Sequence, residues 1–266
     1  MAKIHPTAIV DKTAELSESV SIGPYAVIGK NVVIKKNTTV GHHAWIECAT
    51  IGADNKVYPY AVIGAEPQDL KYDGSPTSVH IGSGCVIREF ATIHRSTNAN
   101  LPTHVGDNCF LMASSHIAHD CHVGNNVILA NGSLLAGHVK VGDNAVISGL
   151  VAIHQFVRVG RLVMIGGGSM VSQDVPPFVQ AQGDRAKLVG LNLVGLKRSR
   201  FSPETIAEIK SAFRDIFISG LPMQEALDQL SASDPIPEVK ELIDFIQKSR
   251  RGVCHPRFKE TFSEDE

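Results

Sequence analysis

The sequence has little net charge and no long apolar run. Its 25 lysines and arginines nearly balance 27 aspartates and glutamates, which leaves a formal charge of −2. This balance argues against a nucleic-acid binder held by bulk electrostatics, because such proteins need an excess of basic residues. No segment approaches the roughly 20 apolar residues of a membrane span. Residues 1–10 lack the basic region and apolar run of a signal peptide. We therefore expect a cytoplasmic protein with no membrane span.

The five cysteines also lack any Cys-x-x-Cys spacing. Three of them, Cys85, Cys109 and Cys121, fall on the fifth position of a six-residue repeat, where other small or β-branched residues occur. A position of that kind faces the core of the fold. The pattern therefore predicts small core residues in a reducing compartment.

The six-residue repeat is clearest over residues 105–175. Its first position is aliphatic twelve times in succession, and its second is small in ten of those twelve steps. The aliphatic positions are Val105, Leu111, Ile117, Val123, Leu129, Leu135, Val141, Ile147, Ile153, Val159, Ile165 and Val171. A period of six matches neither the helical period of about 3.6 nor the alternation of a strand. It predicts a parallel β-helix, whose stacked coils point their aliphatic side chains into one shared core.

The repeat begins near the start of the chain and is interrupted twice. In-phase aliphatics run from Ile4 to Ile46, and a slip of one residue then leads to Ile51, which we expect the coil to absorb as a local bulge. Residues 65–78 and 94–104 lose the pattern and are predicted as loops. The repeat should end at Pro176-Pro177, because proline donates no hydrogen bond to a following coil.

The last part of the chain has helical patterns. Residues 178–200 are predicted as an extended connector. Ser202 followed by Pro203 predicts the start of a helix that ends at Gly220, and further helices are predicted at about 222–231 and from about Pro237 to Arg251. The sequence thus predicts a mainly β protein, with a β-helix domain over residues 1–190 and a small α-helical domain over 191–266.

Stacking of the coils predicts where chemistry could occur. If three hexads make one coil, residues 18 apart in the sequence lie above one another. One such column is His119, Gly137 and Gln155, and the neighbouring column is Asp120, His138 and Phe156. A histidine side chain ordinarily has a pKa of about 6.5, so this residue type suits proton transfer at neutral pH, and Asp120 can hold the imidazole of His119 in one tautomer. The amide of Gly137 can donate to an oxyanion.

Three functions fit these residues. The first is acyl transfer by a general base. The second is zinc binding, because His116, His119 and His122 are spaced by three and zinc carbonic anhydrases of the hexapeptide class build a three-histidine site on a similar coil. Six residues turn a corner of the coil, however, so His116 and His122 should lie on different faces. Only a site shared between subunits would then allow these histidines to bind zinc. We predict no metal ligands. The third is a solenoid that binds without catalysis.

Seven short motifs carry a specific resemblance. They are Gln68-Asp69-Leu70-Lys71-Tyr72, Thr92-Ile93-His94-Arg95, His116-Ile117-Ala118-His119-Asp120-Cys121, Leu135-Ala136-Gly137-His138-Val139, His154-Gln155-Phe156, Gln173-Asp174-Val175-Pro176-Pro177 and Gly195-Leu196-Lys197-Arg198. In this order, and followed by a helical region, they resemble the UDP-N-acetylglucosamine acyltransferases, the first enzymes of lipid A biosynthesis. The resemblance covers residues 5 to 251, approximately.

The resemblance implies a left-handed β-helix that forms a homotrimer, with active sites in the clefts between neighbouring subunits. It implies transfer of a 3-hydroxyacyl chain from acyl carrier protein to the 3-hydroxyl of the glucosamine ring of UDP-N-acetylglucosamine. No cofactor is implied beyond the phosphopantetheine of the carrier protein. His119 matches the family's catalytic base, Asp120 the partner that orients it, and Gly137 the residue whose amide stabilises the oxyanion.

Other matched positions line the substrate cleft in the family. They are Asp69, Lys71, His116, His138, His154, Gln155 and Asn192, with Gly167 at the acyl slot and Arg198 near the uridine. This chain has Val194 where the family often has an acidic residue and Ser199 where it has a second arginine, for which Arg200 can substitute. Gly167 leaves open a slot that some members fill with a larger side chain, which favours a longer acyl chain.

Overall fold

Three parallel sheets form the walls of a β-helix of about ten coils, and four helices follow it. The computed structural model describes residues 1–257. The predicted fold class, a left-handed parallel β-helix with a small helical C-terminal region, is confirmed. Most strands contain two residues, as expected for a hexad that is a short strand plus a corner.

The strands of each wall follow one another along the solenoid. The first sheet contains β1 (Lys3–Ile4), β4 (Ser21–Ile22), β7 (Thr39–Val40), β10 (Lys56–Val57), β13 (Val86–Ile87), β16 (Phe110–Leu111), β19 (Ile128–Leu129), β22 (Val146–Ile147), β25 (Met164–Ile165), β27 (Val179–Gln182) and β28 (Lys187–Leu191). The second contains β2 (Ile9–Val10), β5 (Val27–Ile28), β8 (Trp45–Ile46), β11 (Val62–Ala65), β14 (Thr92–His94), β17 (His116–Ile117), β20 (Leu134–Leu135), β23 (Ala152–Ile153) and β26 (Met170–Val171). The third contains β3 (Glu15–Leu16), β6 (Val33–Ile34), β9 (Ala49–Ile51), β12 (Val79–Ile81), β15 (Thr103–Val105), β18 (His122–Val123), β21 (Lys140–Val141) and β24 (Arg158–Val159).

The predicted register of 18 residues per coil is confirmed where the repeat is uninterrupted. In the second sheet His116 pairs with Leu134, which pairs with Ala152, and Met170 follows. The aliphatic residue after each outward position is buried, as at Ile117, where only 1% of the surface is exposed. Each buried side chain of this size contributes roughly 1.5–3 kcal/mol to the free energy of unfolding.

The coils turn corners at the fourth position of the hexad. This residue has a positive φ at Asp120 (59°), His138 (62°) and Phe156 (65°), and aspartate and asparagine, which tolerate this conformation, recur there. The amide of His138 donates to the carbonyl of His119 at 3.0 Å, and the amide of Phe156 to the carbonyl of Gly137 at 3.1 Å. These bonds hold the corner residues of successive coils above one another.

The phase slip after Ile46 is absorbed by a shorter corner, not by a bulge. Ile34 pairs with Ile51, which is 17 residues further along, and β9 pairs with β6 and β12 without a shift in register. Cys48 turns this corner with a φ of 47°. A bulge adds a residue to one strand, whereas the slip here removes one from a turn, so the ladder stays regular.

Two longer insertions leave the solenoid. Residues 66–78 connect β11 to β12, and residues 95–102 connect β14 to β15. Both therefore leave the second sheet and return to the third sheet, at the same corner of consecutive coils.

The solenoid continues past Pro176-Pro177, so the expected end of the repeat there is wrong. Strand β27 pairs with β25, and β28 returns antiparallel to it, so that a hairpin replaces most of the expected extended connector. The neighbouring amides maintain the ladder: Val175 donates to the carbonyl of Arg158 and Phe178 to that of Arg161, each at 2.9 Å. The two prolines occupy positions where no donor is required.

Four helices complete the described residues. They are α1 (Leu193–Arg198), α2 (Pro203–Phe217), α3 (Met223–Ala232) and α4 (Pro237–Gln247). Helix α2 begins at the predicted cap, where Ser202 Oγ accepts from the amide of Thr205. Helix α4 ends four residues before the predicted Arg251, and α1 was not predicted. Helix α4 packs on the solenoid, where Arg161 Nε donates to Glu241 at 2.6 Å. Within residues 1–257, none of the helices combines the length and the hydropathy needed to cross a bilayer.

Candidate active site

His119 and Asp120 form a close pair at the corner between β17 and β18. His119 Nδ1 lies 2.7 Å from Asp120 Oδ2, and only 11% and 9% of the two side chains are exposed. The positive φ of Asp120 turns the chain here, so adjacent residues in the sequence can bring their side chains together. The bond to Nδ1 directs the other ring nitrogen, Nε2, away from Asp120.

Asp120 is held by Thr97 of the second insertion and by Thr103, the first residue of β15. Its Oδ1 accepts from the amide of Thr97 at 3.0 Å, its Oδ2 accepts from Thr97 Oγ1 at 2.7 Å, and its own amide donates to Thr103 Oγ1 at 2.9 Å. Burial by itself raises the pKa of Asp120, but the hydrogen bonds from His119 and Thr97 outweigh burial and lower it below its usual value. Asp120 is therefore a carboxylate at neutral pH.

Gly137 lies directly against the ring of His119, one coil further along. A β-carbon at Gly137 would come within 2.5 Å of His119 Cε1 and 2.7 Å of Nε2, so only glycine fits. At another corner of the solenoid, the equivalent amides of Asp107 and Asn125 donate to side-chain oxygens of the next coil. The amide of Gly137 has no hydrogen-bond partner among residues 1–257. A residue with a free amide donor therefore packs against the edge of an oriented imidazole that carries Nε2.

His138 and Phe156 form the second column at this corner. Their rings stack at 4.5 Å with an interplanar angle of 7°. His138 Nε2 lies 3.7 Å from Asp120 Oδ2, which is too long for a hydrogen bond but close enough for a charge interaction. His138 is thus a second imidazole beside the same carboxylate.

A cavity of about 700 Å³ lies along the second sheet next to this corner. It contains five of the predicted site residues, which are His116, His119, Gly137, His154 and Gln155. Its other lining residues were not predicted, and they are Gln68, Ala118, Leu134, Ala136, Ala152, Ile153, Met170, Val171, Ser172, Asp184 and Arg185. The 18-residue rule would have found Leu134, Ala152 and Met170, because they stack on His116. Nothing in the sequence pattern indicates Arg185.

His116 is a neutral side chain in this cavity. Its Nδ1 lies 2.7 Å from Thr92 Oγ1, and its ring meets that of His94 edge to face at 5.3 Å. Burial, followed by the neighbouring His94 and His119, lowers the pKa of His116 to about 4. At neutral pH it can therefore form hydrogen bonds to a substrate but contributes no charge.

Asp69 and Lys71 lie in the first insertion, outside the cavity lining. Asp69 Oδ1 accepts from the amide of Lys71 at 2.9 Å, so this carboxylate shapes the loop, and the side chain of Lys71 is exposed. The insertion is held against the solenoid by Arg95, whose guanidinium donates to the carbonyl of Gly64 and to Glu66 Oε1, each at 3.0 Å.

Three predicted residues lie away from the cavity of their own chain. The side chain of Asn192 is used within the fold, since Nδ2 donates to the carbonyl of Leu162 at 2.8 Å and Oδ1 caps α1. Arg198 is exposed at the last turn of α1. Gly167 lies at the corner between the first and second sheets, where a β-carbon would make only an ordinary contact, 3.4 Å from the carbonyl oxygen of Gly149.

The three histidines of the zinc alternative do not converge. His116 lies in the second sheet and His122 in the third, where its ring stacks on that of His104 at 4.7 Å. The expectation that they lie on different faces is therefore confirmed. Among residues 1–257, one group of three potential ligands does meet, His119, Asp120 and His138, whose ligand atoms lie within 4.8 Å of one another.

Comparisons with known proteins give profile matches to two parts of the chain and similar relatives over nearly all of it. Residues 174–254 match a family profile described as UDP-N-acetylglucosamine O-acyltransferase, domain 2, and residues 102–137 match the bacterial transferase hexapeptide profile. The chain is similar to acyl-[acyl-carrier-protein]–UDP-N-acetylglucosamine O-acyltransferases from Thermodesulfovibrio yellowstonii (51% identity over 96% of this chain and 100% of the relative) and Myxococcus xanthus (49% over 95% and 99%).

Solved structures give the same result. The UDP-N-acetylglucosamine acyltransferase from Campylobacter jejuni superposes with a TM-score of 0.90 at 42% identity, over 96% of this chain and 100% of that one. The enzyme of the same name from Francisella novicida superposes with a TM-score of 0.90 at 39% identity, over 95% and 94%.

Proposed function

Because the chain belongs to the UDP-N-acetylglucosamine O-acyltransferase family, we propose that it transfers a 3-hydroxyacyl chain from acyl carrier protein to UDP-N-acetylglucosamine. The acceptor is the 3-hydroxyl of the glucosamine ring, and the reaction is the first step of lipid A biosynthesis. One observation supports the mechanism above all others: Gly137, whose amide has no hydrogen-bond partner among residues 1–257, packs against the ring edge of His119 that carries Nε2.

In the proposed mechanism His119 Nε2 takes the proton of the sugar hydroxyl as its oxygen attacks the thioester carbonyl. The new carbon–oxygen bond forms a tetrahedral intermediate, and the amide of Gly137 donates to its oxyanion. The carbon–sulfur bond then breaks, and the imidazolium returns the proton to the departing thiolate. Asp120 holds Nδ1 and stabilises the charged ring. The products are the O-acylated sugar nucleotide and the free thiol of the carrier, with no covalent enzyme intermediate.

Substrate contacts are proposed for the matched residues of the cavity and its borders. His116, neutral at working pH, and His154 and Gln155 are suited to bind the sugar and acyl carbonyl by hydrogen bonds. The apolar stretch of Leu134, Ala152 and Met170 is suited to the acyl chain. Asp69 and Lys71 on the first insertion, and His138 at the corner, are assigned to the cleft by family resemblance.

The proposal requires no cofactor beyond the phosphopantetheine of the carrier protein. The exposed bases Lys197, Arg198 and Arg200 are candidates to attract that acidic partner. We also propose a cytoplasmic location, since all five cysteines are free thiols, as in a reducing compartment.

We further propose a homotrimer with active sites shared between subunits. Leu134, Phe156 and Met170 near the site are exposed in the single chain, by 46%, 52% and 43% of their surface. Large apolar side chains grouped in this way favour burial against another protein surface. Gly167 and Arg198 lie outside the cavity of the chain that holds His119, which is expected if a neighbouring copy supplies them.

Two experiments test the reaction. His119→Ala should lower kcat by about 10²–10⁴-fold at saturating substrate while the protein remains folded. Mass spectrometry of products, with UDP-N-acetylglucosamine and a series of 3-hydroxyacyl carrier proteins, identifies the acyl length and the acceptor atom. Near-wild-type turnover of His119→Ala, or the absence of an acylated sugar nucleotide, would contradict the proposal.

A third experiment tests the shared site. His119→Ala and Arg198→Ala chains are purified separately and as mixed oligomers, with the mass of each assembly measured by light scattering. If one chain supplies His119 and its neighbour Arg198, the mixed oligomers should recover part of the activity that both parents lack. A monomer in solution, or mixed oligomers no more active than the parents, would rule out this arrangement.

A further inference from the structure

Thr97, in the second insertion, binds both oxygens of the Asp120 carboxylate. We propose that Thr97 is a positioning residue for the His119–Asp120 pair, and that the insertion at residues 95–102 serves to present it. This inference rests on the proposed function, since it concerns the same general base. Thr97 itself does not line the cavity and is not expected to contact substrate.

The Asp120 carboxylate accepts three hydrogen bonds. Its Oδ2 accepts from His119 Nδ1 and from Thr97 Oγ1, both at 2.7 Å, and its Oδ1 accepts from the amide of Thr97 at 3.0 Å. A carboxylate held at one oxygen can rotate about its Cβ–Cγ bond. Thr97 holds both oxygens, so the direction of Oδ2 toward the imidazole is fixed.

A competing partner makes this restraint necessary. His138 Nε2 lies 3.7 Å from the same Asp120 Oδ2, so a small rotation of the carboxylate would exchange His119 for His138 as its partner. In that arrangement His119 would lose the acceptor that sets its tautomer. The hydroxyl of Thr97 favours the arrangement in which Oδ2 remains with His119.

The two residues that precede Thr97 are held firmly by hydrogen bonds. The amide of Arg95 donates to the carbonyl of Ala65 at 3.0 Å, and Ser96, fully buried, donates through its amide to the carbonyl of Ser78 at 3.3 Å and through Oγ to that of Asn98 at 2.8 Å. The insertion returns through Thr103, whose Oγ1 accepts from the amide of Asp120 at 2.9 Å. The carboxylate is therefore attached to a fixed segment and not to a free loop tip.

Three substitutions separate positioning from simple loop stability. Thr97→Val keeps the shape and the amide but removes the hydroxyl, Thr97→Ser keeps the hydroxyl, and Thr50→Val is a matched control on β9 away from the site. A hydrogen bond to a charged group is removed, so kcat of Thr97→Val should fall about tenfold or more. We expect KM for UDP-N-acetylglucosamine to change less than about twofold, and Thr97→Ser and Thr50→Val to stay close to wild type. Equal loss in Thr97→Ser and Thr97→Val would overturn the assignment.

A double-mutant cycle supplies the decisive test. If Thr97 acts through Asp120, Thr97→Val should lower kcat in the wild-type background but not in Asp120→Ala. The same fold loss in both backgrounds would show that Thr97 acts independently of the carboxylate. Thermal unfolding checks that each variant is folded, and if Thr97→Val is not, the comparison of Thr97→Ser with Thr97→Ala carries the test.

The outcome also separates this inference from the proposed function. If the His119→Ala variant were active, His119 would not be the general base, and the proposed role of Thr97 would also be ruled out. If His119→Ala were inactive but Thr97→Val kept full kcat, only the proposed role of Thr97 would be ruled out.

Discussion

Gly137 lies so close to the imidazole of His119 that a β-carbon would come within 2.5 Å of Cε1. The sequence separates the two residues by 18 positions, and one turn of the solenoid brings them together. Gly137, whose amide has no hydrogen-bond partner among residues 1–257, thereby packs against the imidazole edge that carries Nε2, the atom proposed to remove a proton. This contact depends on the absence of a side chain at Gly137, so a single substitution there should disturb it.

Gly137→Ala should therefore inactivate the enzyme without unfolding it. The added methyl group must displace the ring of His119, and a displaced base together with a shifted amide donor should lower kcat by about 10²-fold or more. Gly149→Ala is the matched control, because Gly149 occupies the same hexad position at another corner and its β-carbon would lie 3.3 Å from the carbonyl of Asn131. Steady-state kinetics and thermal unfolding of both variants give the result. Similar losses of activity in the two would contradict the prediction.

Asp120→Asn should remove a part of the stability that depends on pH. The pKa of Asp120 is lowered in the folded protein, whereas an unfolded aspartate titrates near about 3.9. The carboxylate therefore stabilises the fold above about pH 4, and this contribution is lost as the pH falls through the folded pKa. The free energy of unfolding of Asp120→Asn should be lower than wild type by about 1–3 kcal/mol at pH 7, and the difference should shrink as the pH falls below about 4.

Urea unfolding at several pH values measures this difference. The exposed Asp228 of α3 provides the control, since Asp228→Asn should change the free energy of unfolding little at any pH. A difference for Asp120→Asn that stayed constant from pH 7 to 3 would mean that the carboxylate is not held in the way described.

Much of this site was predictable because a solenoid converts sequence spacing into spatial neighbourhood. The hexads make a coil of 18 residues, so the sequence alone places His119 and Gly137 in one column. The paired strands of the second sheet confirm that register. The aliphatic and small positions of a hexad determine the conformation of only one strand and one corner. The same rule applied to His116 also yields Leu134, Ala152 and Met170.

Other contacts were not predictable because they depend on segments that leave the repeat. Thr97 reaches Asp120 from an insertion with no period, where packing alone sets the conformation. Arg185 lines the cavity because β27 and β28 form a hairpin after Pro176-Pro177, where the sequence indicated an extended connector. Asn192 matched a cleft position in the family, but its side chain caps α1, a helix too short to show a periodic pattern.

His116 should titrate far below the range of ordinary histidines. Burial, with His94 and His119 nearby, lowers its pKa to about 4, so an unfolded chain takes up a proton at His116 before the folded one. His116 therefore lowers the free energy of unfolding progressively as the pH falls from about 6.5 to about 4. Histidine NMR of the folded protein should show one ring, absent from the spectrum of His116→Gln, with a midpoint near 4. A midpoint above 6 for that ring would contradict the assignment.

The neutral state of His116 also has a kinetic consequence. His116→Gln should raise KM for UDP-N-acetylglucosamine several-fold through a lost or weakened hydrogen bond. It should leave the shape of the profile of kcat/KM between pH 5 and 9 unchanged, because His116 changes no charge in that range. A shift of either limb of the profile would show that His116 titrates during turnover.

Removal of metal should leave activity intact. In the described residues, His116 and His122 lie in different sheets, and Asp120 already receives hydrogen bonds from His119 and Thr97. Protein treated with a strong chelator and checked by elemental analysis should keep full turnover. Activity that is lost on this treatment and restored by zinc would instead support the zinc-binding alternative, with a metal at His119, Asp120 and His138.

Arg95 should matter more than the acidic residue with which it pairs. Its side chain is 10% exposed and donates to the carbonyl of Gly64 on β11. It contacts the first insertion, which carries Gln68 and Asp69, both through Glu66 and through Tyr72, whose ring centroid lies 5.8 Å from the guanidinium carbon. Glu66 is 71% exposed, so water can replace Arg95 as its partner. Arg95→Gln leaves the buried Gly64 carbonyl without this donor and should lower the free energy of unfolding by about 2–4 kcal/mol. Glu66→Gln, which leaves the bond to Gly64 in place, should cost less than about 1 kcal/mol.

The same pair of variants tests whether the first insertion contributes to substrate binding. With the insertion loosened, Arg95→Gln should raise KM for UDP-N-acetylglucosamine about tenfold while kcat falls much less, because His119, Asp120 and Gly137 are held by other contacts. Glu66→Gln should have nearly wild-type kinetics. If Arg95→Gln instead lowered kcat and left KM unchanged, the insertion would act on the chemical step, and Asp69 and Lys71 would need a different role.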